Sequence, residues 1–227
     1  NFRNEGVSSR HNVEFTMLEF YQCYVDYNFL MNYTENLIKN VVKKFFSNME
    51  VFYNGNILFF NCNYKRMSFI ESILQFNSDV NLDILFCKNK LKEILFLKDI
   101  IFDNENNLSN LQLKLFDNTV VKNLIQPTFI IEYPTDVSPL SKRKSFNNFY
   151  VERFEFYICG IEIANGFSEL CDPIDQDIRL KLQLCEKFER CNNKKYNDFY
   201  DFDYILSLNY GLPPTAGAGI GIDRFVM

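Results

Sequence analysis

Three glycines alternate strictly, at 217, 219 and 221, in the closing run TAGAGIGIDR (residues 215–224). A strand with this spacing bares its backbone along one face, so another group can approach closely there. The run matches neither the GxxxxGKS/T nor the GxGxxG phosphate loop, and it contains no Lys. Arg224, which starts the following helix, can meet an anion at that helix's N-terminus. The spacing carries weight because Gly is scarce: eight of 227 residues, half of them within 211–227. Asn (28) and Phe (25) are abundant, Lys outnumbers Arg 16 to 8, and Trp is absent. We read that skew as mutational pressure toward AT-rich codons, against which a retained Gly or Arg marks a physical need.

With 47% hydrophobic residues, a chain of this length can fill the core of a globular domain, which excludes wholesale disorder. Its apolar runs are interrupted, for example by Lys98 and Asp99, well short of the roughly 20 residues needed to span a bilayer. No membrane association is expected, and a cytoplasmic location is. The net charge of −5 supplies no general basic field for nucleic acid, so any polyanion contact has to be local. Seven Cys, odd in number and without a CxxC pair, read as reduced thiols rather than a disulfide frame or a zinc site. His11 is the one His, which leaves little for a His-based triad or metal cluster. No signal peptide is evident, and the opening Asn-Phe-Arg, without Met, reads as the start of a fragment.

Periodicity gives the coarse layout. After a polar loop over residues 6–12, the alternation of 15–27 predicts a strand, with Phe15, Met17, Glu19, Tyr21 and Cys23 on one face. Loop and strand together predict an antiparallel hairpin. Residues 30–49 predict an amphipathic helix with Leu30, Leu37, Val41 and Phe45 inward. Residues 51–60 predict a hairpin turning at Asn54-Gly55. The stretch 68–122 reads as mostly helical, with an Asn-rich break at 104–110. Strands follow at 128–132, 153–158 and 161–170, the last two joined at Cys159-Gly160. Helices follow at 173–190, capped by Asp172, and at 200–210, ending at Gly211.

Two further segments could carry chemistry. In RNEGVSSRHNVEF (3–15), Arg3, Arg10 and His11 flank a loop with Glu5 and Glu14, and guanidinium forks suit phosphate recognition. A solvated loop with internal ion pairs would look the same. In RFEFYICGIEIANGFSEL (153–170), Glu155 and Glu162 lie on neighbouring strands, where they could share a hard divalent cation such as Mg²⁺. Glu162, Ala164, Gly166 and Ser168 share one parity, a small-residue face with room for a ligand. Asn165, Phe167 and Glu169 take the other.

The three segments together resemble the class II aminoacyl-tRNA synthetases, and among them the lysyl-tRNA synthetases. RNEGVSSRHNVEFTMLEFY is similar to that family's motif 2, within residues 1–27, and GLPPTAGAGIGIDR to its motif 3, within 211–227. LIQPTFIIEYPTDVSPL and RFEFYICGIEIANGFSELCD resemble its lysine- and metal-binding blocks over 124–172, leaving 50–122 as a variable helical region. The resemblance implies an α+β catalytic core, an antiparallel β-sheet flanked by helices. It implies that Arg3 grips the α-phosphate of ATP and Arg224 the γ-phosphate, both catalytic. Asn4, Glu5, His11, Asn12 and Phe15 would complete the ATP site with Glu162, Ile163, Gly221, Ile222 and Asp223. Glu19, Tyr21, Asn165, Phe167 and Glu169 would hold lysine, and Glu155 and Glu162 would bind Mg²⁺. It also implies L-lysine, ATP and tRNA(Lys) as partners, and a homodimer for the full-length protein. A lysine pocket needs carboxylates, because a desolvated ammonium must be paired.

Val13 stands where the family usually has Pro, and Ile161 where Arg or Lys is common. Motif 1 and the anticodon-binding OB domain are absent from these 227 residues, so such a piece is expected to show little activity and poor stability. Two rival readings are a lysine ligase that modifies a translation elongation factor and an inactive truncated paralogue acting as a binding module. Gly219 and the RNEGVSSRHN run favour the synthetase over the first, and the intact site positions disfavour the second. A relative charging Asp or Asn is disfavoured because Glu19 and Glu169 would repel a carboxylate side chain.

Overall fold

The computed structural model describes residues 1–3, 6, 7, 12–103, 105–191 and 200–227, with 186–191 described by backbone alone. At the start, Phe2 bridges Glu14, Arg3 N donates to Val13 O at 3.0 Å, and Phe15 N donates to Asn1 O at 3.1 Å. These pairs close the expected hairpin. The strand that follows, β1, runs Met17–Cys23 and stops because Tyr24 takes φ 60°, a left-handed conformation that ends an extended run. Helix α1, Tyr27–Phe45, begins at once because Asp26 caps it, Oδ1 accepting from Phe29 N at 3.0 Å. The expected strand 15–27 is therefore shorter, and both ends of the expected helix 30–49 move toward the N-terminus. Two apolar stripes compete on this helix. The sheet takes Leu30, Met31, Ile38 and Val42, leaving Leu37 and Val41 half-buried and Phe45 exposed.

Strands β2, Glu50–Tyr53, and β3, Asn56–Phe59, form the expected hairpin, with Asn54 at φ 47° and Gly55 at φ 80° in the turn. Strand β4, Lys65–Ser68, was not legible in the sequence; it leads into α2, Phe69–Phe76, through a Ser68–Glu71 capping box. Helices α3, Leu82–Leu85, α4, Lys88–Leu97, and α5, Leu108–Thr119, make up the expected helical stretch. Asn107 caps α5, its Oδ1 accepting from Asn110 N at 2.8 Å, so the Asn-rich break closes earlier than 110.

The second half supplies β5, Thr128–Ile131, the short pair β6, Arg143–Lys144, and β7, Asn147–Val151, and then β8, Arg153–Ile158, and β9, Ile161–Ser168. Cys159 (φ 49°) and Gly160 (φ 69°) make the tight turn between β8 and β9. Helix α6, Pro173–Cys191, starts where Asp172 Oδ1 accepts from Ile174 N at 2.9 Å. Helix α7, Phe202–Asn209, is followed by Gly211 at φ 101°. Strand β10, Thr215–Gly221, passes directly into α8, Ile222–Val226.

Among the described residues, six strands form one sheet in the order β1-β10-β9-β8-β5-β4, antiparallel throughout except for the parallel β4–β5 pair. This is the expected α+β arrangement. Helix α1 covers one face, where Leu30, Ile38, Phe154, Ala216, Ala218 and Ile220 share a core. A second apolar centre lies among the helices, around Phe69, Leu85, Phe116 and Tyr133. Among the described residues no helix is long and apolar enough to cross a membrane, and the described cysteines are unpaired.

The small-residue parity of β9 does not open space for a ligand. Ala164, Gly166 and Ser168 are buried on the core face. Tyr27 N donates to Ser168 Oγ at 3.0 Å, and the Phe154 ring leans across Gly166. A Cβ on Gly166 would stand 2.6 Å from Phe154 Cζ and 2.8 Å from Ala218 Cβ. Gly166→Ala is therefore expected to cost about 1–3 kcal/mol by overpacking, read as a lower thermal midpoint. An unchanged midpoint would show that Phe154 is free to move aside.

Candidate active site

On the sheet face opposite α1, pairing fixes which side chains meet. In β1 and β10, Met17 faces Gly221, Glu19 faces Gly219 and Tyr21 faces Gly217. In β10 and β9, Gly217 faces Phe167 and Gly219 faces Asn165. Directly opposed residues share a face, so the three glycines make a floor between two rows of functional side chains. A Cβ on Gly217 would overlap the Tyr21 ring and stand 2.9 Å from Glu169 Oε1. One on Gly219 would stand 2.6 Å from Met17 Cε. Above this floor opens a cavity of about 640 Å³.

Glu162 reaches the cavity because β9 is bulged. Phe156 pairs with Ala164 but Tyr157 pairs with Glu162, so Ile163 is an extra residue that reverses the parity. Glu162 thereby joins the side of Asn165, Phe167 and Glu169 instead of the buried side of Ala164. Arg224 Nη1 donates to Glu162 O at 2.8 Å and to Glu162 Oε2 at 3.3 Å. Glu155, expected to share a cation with Glu162, faces Asn165 across the strands and does not line the cavity. Its Oε2 accepts from Tyr133 OH at 2.6 Å and Tyr157 OH at 2.5 Å, and its Oε1 is held by Arg153 Nη2.

Burial, reinforced by repulsion from Glu155, pushes the Glu162 carboxyl up to about 7, against the opposing pull of Arg224 and Arg153. Its side chain keeps 37% of its surface exposed, so solvent in the open cavity moderates that shift. Among the described residues no group of three or more His, Cys, Asp or Glu converges to hold a metal alone. A reluctantly ionised carboxylate beside a second one still suits Mg²⁺, which takes one or two protein oxygens and completes its shell with water and phosphate.

The two ends of the cavity differ in chemistry, and Glu14, Glu162 and Asp223 line it as well. At one end Glu19, Tyr21 and Glu169 gather over Gly217 and Gly219. Burial pushes Glu169 up to about 7, while burial and the nearby Glu19 and Glu169 charges raise Tyr21. At the other end lie Arg3, Arg224 and Phe15, with the Arg3 guanidinium 5.5 Å from the Phe15 ring centre and donating to Met17 Sδ at 3.7 Å. Asp223 Oδ2 accepts from Thr16 N at 2.6 Å and Ile222 N donates to Thr16 O at 3.0 Å, tying α8 to the hairpin.

Of the expected site residues, the cavity brings together Arg3, Asn12 and Phe15; Glu19 and Tyr21; Glu162, Ile163, Asn165, Phe167 and Glu169; and Gly221, Asp223 and Arg224. Ile222 does not line it and takes part through its backbone N–H alone. Asn4, Glu5, Arg10 and His11 lie outside the described residues. Gly217 and Gly219, singled out by their spacing, form the cavity floor, while Glu14, Met17 and Leu140 line the cavity without a role assigned from the sequence. Met17 could have been found from its parity with Glu19 and Tyr21. Leu140 comes from the loop after β5 and has no chemistry to announce it.

Comparison with known proteins agrees with this architecture. Residues 1–227 match the family model for tRNA synthetases class II (D, K and N), and the chain belongs to that family. Among curated relatives it is similar to the lysine–tRNA ligases of Buchnera aphidicola subsp. Schizaphis graminum (48% identical over 229 residues) and Legionella pneumophila strain Lens (48% over 227). That of Wigglesworthia glossinidia brevipalpis is 46% identical over 227 residues. Each alignment takes in 100% of this chain but only 44%, 45% and 45% of the respective relative, so the chain spans a little under half their length.

The raised Glu169 carboxyl links stability to pH. The folded state holds this proton more tightly than the unfolded chain, so Glu169's contribution is full below its ordinary value of 4.5 and is lost as pH rises through about 7. Glu169→Gln removes that dependence. The thermal midpoint of the variant minus that of the native protein should increase between those two pH values; a constant or falling difference would refute the assignment.

Proposed function

We propose that this chain is the catalytic part of a lysine–tRNA ligase, which activates L-lysine with ATP to lysyl-adenylate and transfers lysine to the 3′ end of tRNA(Lys). The observation that carries this reading is the cavity, with paired carboxylates at one end and, at the other, two arginines beside Glu162 and Asp223. Glu19 and Glu169 suit the lysine ε-ammonium, with Tyr21 between them. Arg3 and Arg224 suit the α- and γ-phosphates, and Phe15 suits adenine. The lysine carboxylate, already ionised at neutral pH, attacks the α-phosphorus in line. An acyl-oxygen–phosphorus bond forms as the bond to pyrophosphate breaks, and no general base is required. Catalysis then rests on orientation and on offsetting charge at phosphorus. Mg²⁺ entering with ATP would neutralise phosphate charge, with Glu162 as its cavity carboxylate and Glu155 behind it. The same reading makes the full-length protein a cytoplasmic homodimer.

ATP–pyrophosphate exchange by the full-length protein tests this directly. Lysine should support exchange. Arg224→Ala should lower the rate about 10²-fold or more, and Glu169→Gln should raise the KM for lysine about tenfold by losing a charge-assisted hydrogen bond. Exchange supported by another amino acid and not by lysine would refute the lysine specificity.

A further inference from the structure

Arg153 lies just behind the cavity wall and does not line it. Its side chain, 16% exposed, donates to protein from all three of its nitrogens. Nε donates to Asn165 Oδ1 at 3.1 Å, and Nη1 donates to Val137 O at 3.2 Å and to Ser138 Oγ at 2.8 Å. Nη2 binds Glu155, and the guanidinium plane sits 4.8 Å from the centre of the Tyr133 ring. The contact with Asn165 has a chemical consequence. Arginine can only donate, so the Asn165 atom that meets it has to be the carbonyl oxygen, whatever the rotation of the amide. The NH₂ is then the group left for the cavity, and it can pair with an oxygen of a substrate but not with an ammonium.

We propose that Arg153 is a positioning residue for the amino-acid subsite: held in place by its bonds to Val137, Ser138 and Glu155, it locks the Asn165 amide with its NH₂ toward the cavity. The proposal deepens the lysine-activating reading and rests on it. Arg153 touches Asn165 directly but reaches the expected nucleotide and Mg²⁺ residues through Glu155 alone, so its loss should be felt by the amino acid more than by the nucleotide.

The test is pyrophosphate exchange by the full-length protein with Arg153→Gln, Asn165→Ala and the double variant. Arg153→Gln should raise the KM for lysine about tenfold, the worth of one hydrogen bond, and the KM for ATP by a clearly smaller factor. In the Asn165→Ala background the Arg153 change should add almost nothing, because the two act as one unit. Should Arg153→Gln fold poorly with Glu155 unpaired, Arg153→Lys keeps a positive charge beside Glu155 yet loses the fork that also reaches Asn165, and should show the same split. Equal rises in both KM values, effects that multiply in the double variant, or an unchanged lysine KM in Arg153→Lys would overturn the proposal. A native protein that exchanges with a different amino acid would refute the lysine reading alone, and the KM split measured with that amino acid would still decide the role of Arg153.

Discussion

The close approach of side chains to a bare backbone is the constraint on which the cavity depends. Strand β10 lies between β1 and β9, and its glycines face Tyr21, Glu19 and Met17 on one side and Phe167 and Asn165 on the other. Any Cβ at 217 or 219 would occupy space already taken by Tyr21, Glu169 or Met17. On the reverse of the same strand, Ala216, Ala218 and Ile220 complete the core beneath α1. One strand thus builds two surfaces with opposite needs, packing behind and vacancy in front, and a period of two satisfies both.

The charges around that vacancy are arranged for a guest. Glu162 and Glu169 are both held well above the ordinary carboxyl value, chiefly by burial. A cation arriving beside either one relieves a cost that the fold already bears. Glu155 is treated differently: Tyr133, Tyr157 and Arg153 engage both of its oxygens. The contrast separates carboxylates open to exchange from one engaged in holding the wall together.

Local chemistry made much of this legible from residues alone. The turns at Asn54-Gly55 and Cys159-Gly160 each place a Gly at positive φ, and β8 has its expected bounds. The row Glu19, Tyr21 and the glycine floor follow from alternation. Other features depend on partners distant in sequence. Helix α1 carries two apolar stripes, and the sheet decides between them. Strand β4 is defined by its parallel pairing with β5, which no property of Lys65, Arg66, Met67 or Ser68 announces. The side on which Glu162 falls is set by a bulge that exists only in the register with β8. The positioning of Asn165 by Arg153 likewise needs two strands in place.

The tie between Thr16 and Asp223 joins residues 207 apart in the chain. Both walls of the cavity flanking β10 are made long before its floor during synthesis, and closing so long a loop is slow compared with forming the helices between. At translation rates of about 5–20 residues per second, Tyr21 and Glu169 wait on the ribosome for Gly217 to emerge. Until then β1 has no neighbour among the described strands, and its open edge is exposed to any other chain with a strand to offer.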